Sequence, residues 1–114
     1  PQMLQRESGS IVNIASIAAK NGFVDGTGYC ASKFALRGFS SALMQEVRSK
    51  NVRVITVCPG SVDTGMIARY DAAPKPDSML QPEDVAAAVY AALNMPVRAT
   101  VSELDLRPSN PQKR

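Results

Sequence analysis

Three side chains in the stretch SIAAKNGFVDGTGYCASK have the types and spacing needed to move a proton: Ser16, Tyr29 and Lys33. Tyr29 and Lys33 stand four residues apart at the expected start of a helix, so both project from one helical face. A phenol by itself holds its proton until about pH 10. An ammonium about 4 Å away, at an effective dielectric of about 20, stabilises a phenolate by roughly 4 kcal/mol, enough for a phenol to trade protons near neutrality. Ser16 would hold a substrate oxygen beside that phenol. Such a constellation suits proton transfer to or from a carbonyl or carbinol oxygen. A tyrosine and a lysine at this spacing also occur on ordinary solvated helix faces, so their meaning depends on what positions them.

The apolar, β-branched run SIVNIAS, residues 10 to 16, predicts a short buried strand ending at Ser16. Residues 1 to 8 read as the last turns of a helix stopped by Gly9. Asn13 is either a satisfied core amide or a support for the site. Residues 17 to 28 read as a loop punctuated by Gly22, Gly26 and Gly28. A long helix is predicted from about residue 27 to residue 50, with Ala31, Phe34, Ala35, Phe39, Ala42, Leu43 and Val47 as its buried stripe. Leu36 and Met44 fall off that stripe, which predicts a second apolar side covered by a partner subunit.

VRVITVCP, residues 52 to 59, reads as a second strand buried on both faces. Strand, crossover helix and strand form a βαβ unit, so the two strands should be parallel. Ligands of open α/β sheets gather at the carboxyl ends of the strands, where Ser16 and Pro59-Gly60 converge across 43 residues of sequence. Residues 61 to 80 lack a clean period and read as a lid-like or disordered loop, in which Arg69 is either an ordinary exposed arginine or a partner for a substrate carboxylate. Pro82, Glu83 and Asp84 open a helix that ends before Pro96. Residues 99 to 107 read as a last edge strand with Leu104 and Leu106 on one side, followed by a frayed basic tail, QKR.

Composition narrows the function classes. The 114 residues suffice for one modest domain, and 45% hydrophobic with 20% charged residues is a globular balance. There is no histidine, which removes Ser-His-Asp and Cys-His catalysis and any His-liganded zinc. Cys30 and Cys58 read as buried, reduced thiols of a cytosolic protein. The net charge of +3 is scattered along the chain, which argues against nucleic acid as a partner, and no apolar run is long enough to span a membrane.

Assembled in order, IVNIAS, YCASK, VRVITVCPGSVDT and PEDVAAAV resemble the short-chain dehydrogenase/reductase family across nearly all of residues 9 to 107. The resemblance implies a partial doubly wound parallel α/β sheet of Rossmann type: the last three strands with their flanking helices. Residues 1 to 114 would then be the C-terminal portion of a single such domain. It implies that Ser16, Tyr29 and Lys33 are catalytic, and that Tyr29 and Lys33 also meet the cofactor, Lys33 through the nicotinamide ribose. Pro59 and Gly60 would line the nicotinamide, and Val62 (through its backbone) and Thr64 would hold its carboxamide. The cofactor implied is NAD or NADP, with NADP favoured. The family's Gly-rich dinucleotide turn, its NAD/NADP-selecting residue and its catalytic Asn would all lie upstream of residue 1.

The implied activity is hydride transfer interconverting a secondary alcohol and a ketone. The Tyr-x3-Lys spacing is unlike the enoyl-reductase branch. The ending VSELDLRPSNP is more similar to the 3-hydroxy acid dehydrogenases than to the ketoacyl-carrier-protein reductases, which brings in a small 3-hydroxy acid as substrate. The expected partners are that small alcohol or ketone and further copies of the chain, in a homodimer or homotetramer through the helix of residues 27 to 50, in the cytoplasm. The alternative, from a different class, is a catalytically inactive fragment or subunit-interaction module that retains the oligomerising helix.

Overall fold

The computed structural model describes residues 1–64 and 78–110. A three-stranded parallel sheet lies at its centre, in the order β1 (Gly9–Ile14), β2 (Val52–Pro59), β3 (Glu103–Leu106). Helix α2 (Thr27–Val47) crosses from β1 to β2, and α3 (Pro82–Leu93) crosses from β2 to β3. A short helix, α1 (Gln2–Arg6), precedes β1. This is the α/β arrangement that the βαβ pattern requires. Its register sets Ile14 opposite Val57 and Pro59 opposite Leu106, so the carboxyl ends of the strands lie side by side.

β2 is the spine of the core because strand side chains alternate between faces. Val52 and Val54 pack with Val47, Leu43 and Met44 of α2, whereas Ile55 and Val57 pack with Ala92, Val85 and Val89 of α3. The two helices therefore cover opposite faces of the sheet. Arg53 shares the α3 face, where its guanidinium donates to the carbonyls of Leu93 (2.9 Å) and Met95 (3.3 Å) and closes the end of that helix. At the other end of α3 the Asp84 carboxylate accepts the Gln81 N–H at 2.8 Å, with Pro82 in the first helical position. Among the described residues no helix is long and apolar enough to cross a membrane.

The buried face of α2 differs from the predicted stripe. Ala31, Phe34, Ala35, Phe39 and Ala42 are exposed. The face against the sheet runs through Cys30, Leu36, Ser40, Leu43, Met44 and Val47. Leu36 and Met44, expected on a second apolar side, belong to the core. The reason lies in Ser40, which scores as polar yet sits fully buried at the centre of the face. Its hydroxyl donates to Leu36 O and accepts from Asn13 Nδ2, both at 2.8 Å, so its burial leaves no group unsatisfied. Asn13 is thus a satisfied core amide linking β1 to α2.

Three boundaries also move. α1 stops at Glu7, in the left-handed conformation (φ 51°), with Ser8 N–H returning to Met3 O, rather than at Gly9. The helix of residues 27 to 50 finishes as a 3₁₀ turn, Arg48–Lys50. β3 is four residues long; just before it Ser102 O accepts the Thr56 N–H at 3.0 Å, and further back a turn is closed by Ala99 N–H to Pro96 O.

Candidate active site

The site grows from the carboxyl end of β1. Ala15 N–H continues the ladder to Val57 O at 2.7 Å, and Ser16 then leaves the sheet in an extended conformation. Its Oγ accepts the Ala18 N–H at 3.0 Å and caps a 3₁₀ turn, Ile17–Ala19, so part of the expected loop is regular structure. That bond uses a lone pair of Oγ and leaves the hydroxyl's own hydrogen to be donated. Continuing the β1–β2 register past Ile14 and Val57 sets Ser16 level with Pro59.

Gly26 begins α2 by accepting the Cys30 N–H at 2.7 Å, which puts Tyr29 in the first helical turn and Lys33 in the next. Both are half-buried. Lys33 Nζ lies 5.6 Å from the centroid of the Tyr29 ring and donates to Ile14 O at 3.3 Å. The lysine therefore fastens the start of α2 to the end of β1, two residues before Ser16. The Phe23 ring packs against the Tyr29 ring with centroids 6.2 Å apart and planes at 51°. An aromatic residue six positions before the tyrosine was visible in the sequence, but nothing local indicated that it would fold back.

β2 delivers the remaining expected residues. Pro59 is buried, and Gly60 N–H bonds Leu106 O at 2.7 Å. Val62 forms a parallel bridge with Leu80, made by Leu80 N–H to Ser61 O and Asp63 N–H to Leu80 O, both 2.8 Å. That pattern leaves the peptide N–H and C=O of Val62 itself outside the bridge. Thr64 is exposed. Among the described residues no hydrogen bond joins Val62 or Thr64 to the Tyr29–Lys33 pair. Arg69, most of the expected lid of residues 61 to 80, and the QKR tail lie outside the described residues.

A charge cluster that sequence reading missed sits on the neighbouring strand. Lys20, just past the Ser16 turn, contacts Asp105 at 2.7 Å and Glu103 at 3.0 Å, and Arg37 of α2 donates to the same Glu103 oxygen at 2.6 Å. Alternation in β3 puts both carboxylates on one side of the strand, the only hint that sequence carried. Cys58 is fully buried beneath them, with its sulfur and the two carboxylates mutually within 4.8 Å. Burial first, and then these carboxylates, raise the thiol above its ordinary range, so it stays protonated at neutral pH. Both cysteines are free and buried, as expected.

The hydrogen bond from Arg37, reinforced by Lys20, lowers the Glu103 carboxyl below its ordinary value of 4.5, against the opposing effect of burial. A depressed carboxylate adds stability above its unfolded pKa and loses it as pH falls through the folded one. The melting temperature of the complete protein should accordingly fall as pH drops below about 4.5, and Glu103→Gln should flatten that limb. Identical acid limbs for wild type and variant would show that the cluster contributes nothing.

The comparisons with known proteins agree with this fold. The family model described as short chain dehydrogenase matches residues 1–75. An oxidoreductase of Staphylococcus aureus (strain USA300) is 37% identical over 108 residues, covering 95% of this chain and 46% of the relative. The crystal structure of serine dehydrogenase from Escherichia coli superimposes with a TM-score of 0.80 at 31% identity, over 95% of this chain and 44% of that one. The closed form of serine dehydrogenase complexed with NADP+ gives 0.86 at 29% identity, over 95% and 47%. The chain spans about half the length of the curated relatives it matches. A parallel α/β sheet carrying Tyr29 and Lys33 on its crossover helix, with a family match over its first 75 residues, identifies the chain as a member of the short-chain dehydrogenase family.

Proposed function

We propose that this chain is the C-terminal, proton-transferring half of an NAD(P)-dependent oxidoreductase that interconverts a secondary alcohol and a ketone. The observation that carries the reading is Lys33, held by Ile14 O at 3.3 Å and lying 5.6 Å from the Tyr29 ring, with Ser16 two residues further along the same strand end. In the reducing direction Ser16 Oγ donates to the carbonyl oxygen and orients it, and Tyr29 Oη gives that oxygen its proton. In oxidation Tyr29 Oη takes the carbinol proton. The Lys33 ammonium offsets the negative charge that develops on the phenol oxygen. One of its three hydrogens is engaged by Ile14 O, and two are left for other partners.

A nicotinamide cofactor, when bound, supplies or accepts the hydride. The donor set fits the nicotinamide end of such a group. Lys33 would hold the ribose beside Tyr29, Pro59 and Gly60 would line the ring, and the Val62 peptide and the Thr64 hydroxyl would meet the carboxamide. The Val62 peptide groups left out of the bridge to Leu80 support that assignment. The dinucleotide turn and the residue selecting NADP over NAD would come from a half of the domain that this chain does not cover. The NADP+ in the serine dehydrogenase complex favours NADP. The substrate class extends to small 3-hydroxy acids. The complete protein, given NADP+ and a panel of secondary alcohols and 3-hydroxy acids, should reduce the cofactor; failure with every member of the panel would refute the reading.

The exposed side of α2 supports self-association, the part of the alternative reading that an observation favours. Ala31, Ala35, Gly38 and Ala42 form a small-residue strip flanked by Phe34 and by Phe39, 59% exposed. We propose that a homodimer or homotetramer forms through this face, in place of the Leu36–Met44 side expected from sequence. Phe39→Glu should then shift the protein to monomers in size-exclusion chromatography while helical circular dichroism is kept. Leu36→Glu should instead unfold it, because Leu36 packs on the core cluster of Ala15, Ala19 and Cys58. An unchanged elution volume for Phe39→Glu would remove this interface.

A further inference from the structure

Ser16 sits on a turn whose far end is anchored across the sheet. Its Oγ accepts the Ala18 N–H at 3.0 Å, and Lys20 closes the same turn with its own N–H on Ile17 O at 2.9 Å. The Lys20 ammonium then reaches past β2 to β3, where it meets Asp105 at 2.7 Å and Glu103 at 3.0 Å. Ala15 and Ala19, before and after Ser16, pack on the fully buried Cys58 of β2, but contacts of that kind set no direction. Glu103 is shared. The oxygen that takes Lys20 also takes Arg37 at 2.6 Å, and Arg37 lies about two turns along α2 from Tyr29. Among the described residues no hydrogen bond joins the side chains of Ser16 and Tyr29, so their spacing is set by whatever holds their elements together. One carboxylate of β3 ties the turn of the first to the helix of the second.

We propose that Lys20 is a positioning residue for Ser16, with Glu103 and Asp105 as its anchor on β3: the ion pairs hold the turn where the Ser16 and Tyr29 hydroxyls converge on one substrate oxygen. The proposal rests on the oxidoreductase reading and deepens it, because it assigns the groups that set this spacing. Lys20 itself touches no reacting atom. Its ammonium is spent on the two carboxylates. Partly exposed ion pairs add little to stability. A group that orients substrate is more sensitive, since a misplacement of about 1 Å can cost about 10²-fold in rate. The tie should therefore matter more to turnover than to folding.

The test measures kcat and KM in the complete protein with NADP+ and either 2-propanol or 3-hydroxybutyrate. Lys20→Met should lower kcat about tenfold on both substrates, which present the same oxygen to Ser16, with the KM for NADP+ and the melting temperature close to wild type. Lys20→Arg keeps the cation and should restore most of the loss. Asp105→Asn loosens the same tie from β3 and should repeat the effect more weakly. A positioning residue acts through Ser16, whereas general structural damage does not. Added to Ser16→Ala and read by single-turnover reduction of NADP+, Lys20→Met should therefore change the rate by less than about twofold. An unchanged kcat in Lys20→Met, or a further fall of about tenfold on the Ser16→Ala background, would overturn the proposal and leave the oxidoreductase reading standing. No turnover of either substrate by wild type would overturn both.

Discussion

Tyr29→Phe is expected to lower kcat by about 10²–10⁴-fold, some 3–5 kcal/mol of barrier, while cofactor affinity and melting temperature stay close to wild type. The substitution removes the hydroxyl proposed to carry the proton and keeps the ring that packs on Phe23 at 6.2 Å, so the local structure has no reason to relax. Lys33→Ala should damage more than chemistry. It removes the cation beside the ring and also the hydrogen bond to Ile14 O that ties α2 to the end of β1. Its kcat should fall, its cofactor KM should rise, and its melting temperature should drop. Steady-state kinetics beside thermal melts separate the two variants. A Tyr29→Phe protein that kept a tenth of wild-type kcat would end the proton-donor assignment.

The second large effect concerns the 114 residues by themselves, which are expected to lack a cooperative melt and to give no detectable binding of NADPH. The chain exposes 7602 Å², whereas a compact protein of 12.2 kDa exposes about 6,100 Å². Among its fully buried side chains the largest are only Ile55, Val54, Val57 and Cys58. Among the described residues the outer edge of β1 has no strand beside it, and Ile14 at its end is 45% exposed. An apolar strand with an open edge recruits other chains unless it is covered. The sequence also lacks the TGxxxGxG-type dinucleotide turn with which the family holds a pyrophosphate at a helix N-terminus. Calorimetry and isothermal titration on the isolated chain decide the matter. A sharp two-state transition in dilute solution together with micromolar NADPH binding would show that this half is self-sufficient.

What the sequence determined by itself was the type and order of the main elements and the residues that end or begin them in sequence. The i, i+4 spacing of Tyr29 and Lys33, the β-branched runs of β1 and β2, the stop at Pro59-Gly60 and the proline with acids at the start of α3 are each written within a few residues. Those features sufficed for the parallel α/β order and for the convergence of Ser16 with Pro59. The tertiary structure alone decided which face of α2 is buried. Ser40 can occupy the centre of that face because Asn13, 27 residues away, supplies its partner. The same holds for the cluster joining Lys20 to Asp105 and Arg37 to Glu103, across 85 and 66 residues. Phe23 belongs with these despite its short separation from Tyr29, because the fold-back needs the left-handed Asp25 and the bare backbone of Gly26 together. Periodicity records which residues favour burial. Whether a polar group can follow them inside, or an apolar one stay out, depends on partners that only the folded chain brings near.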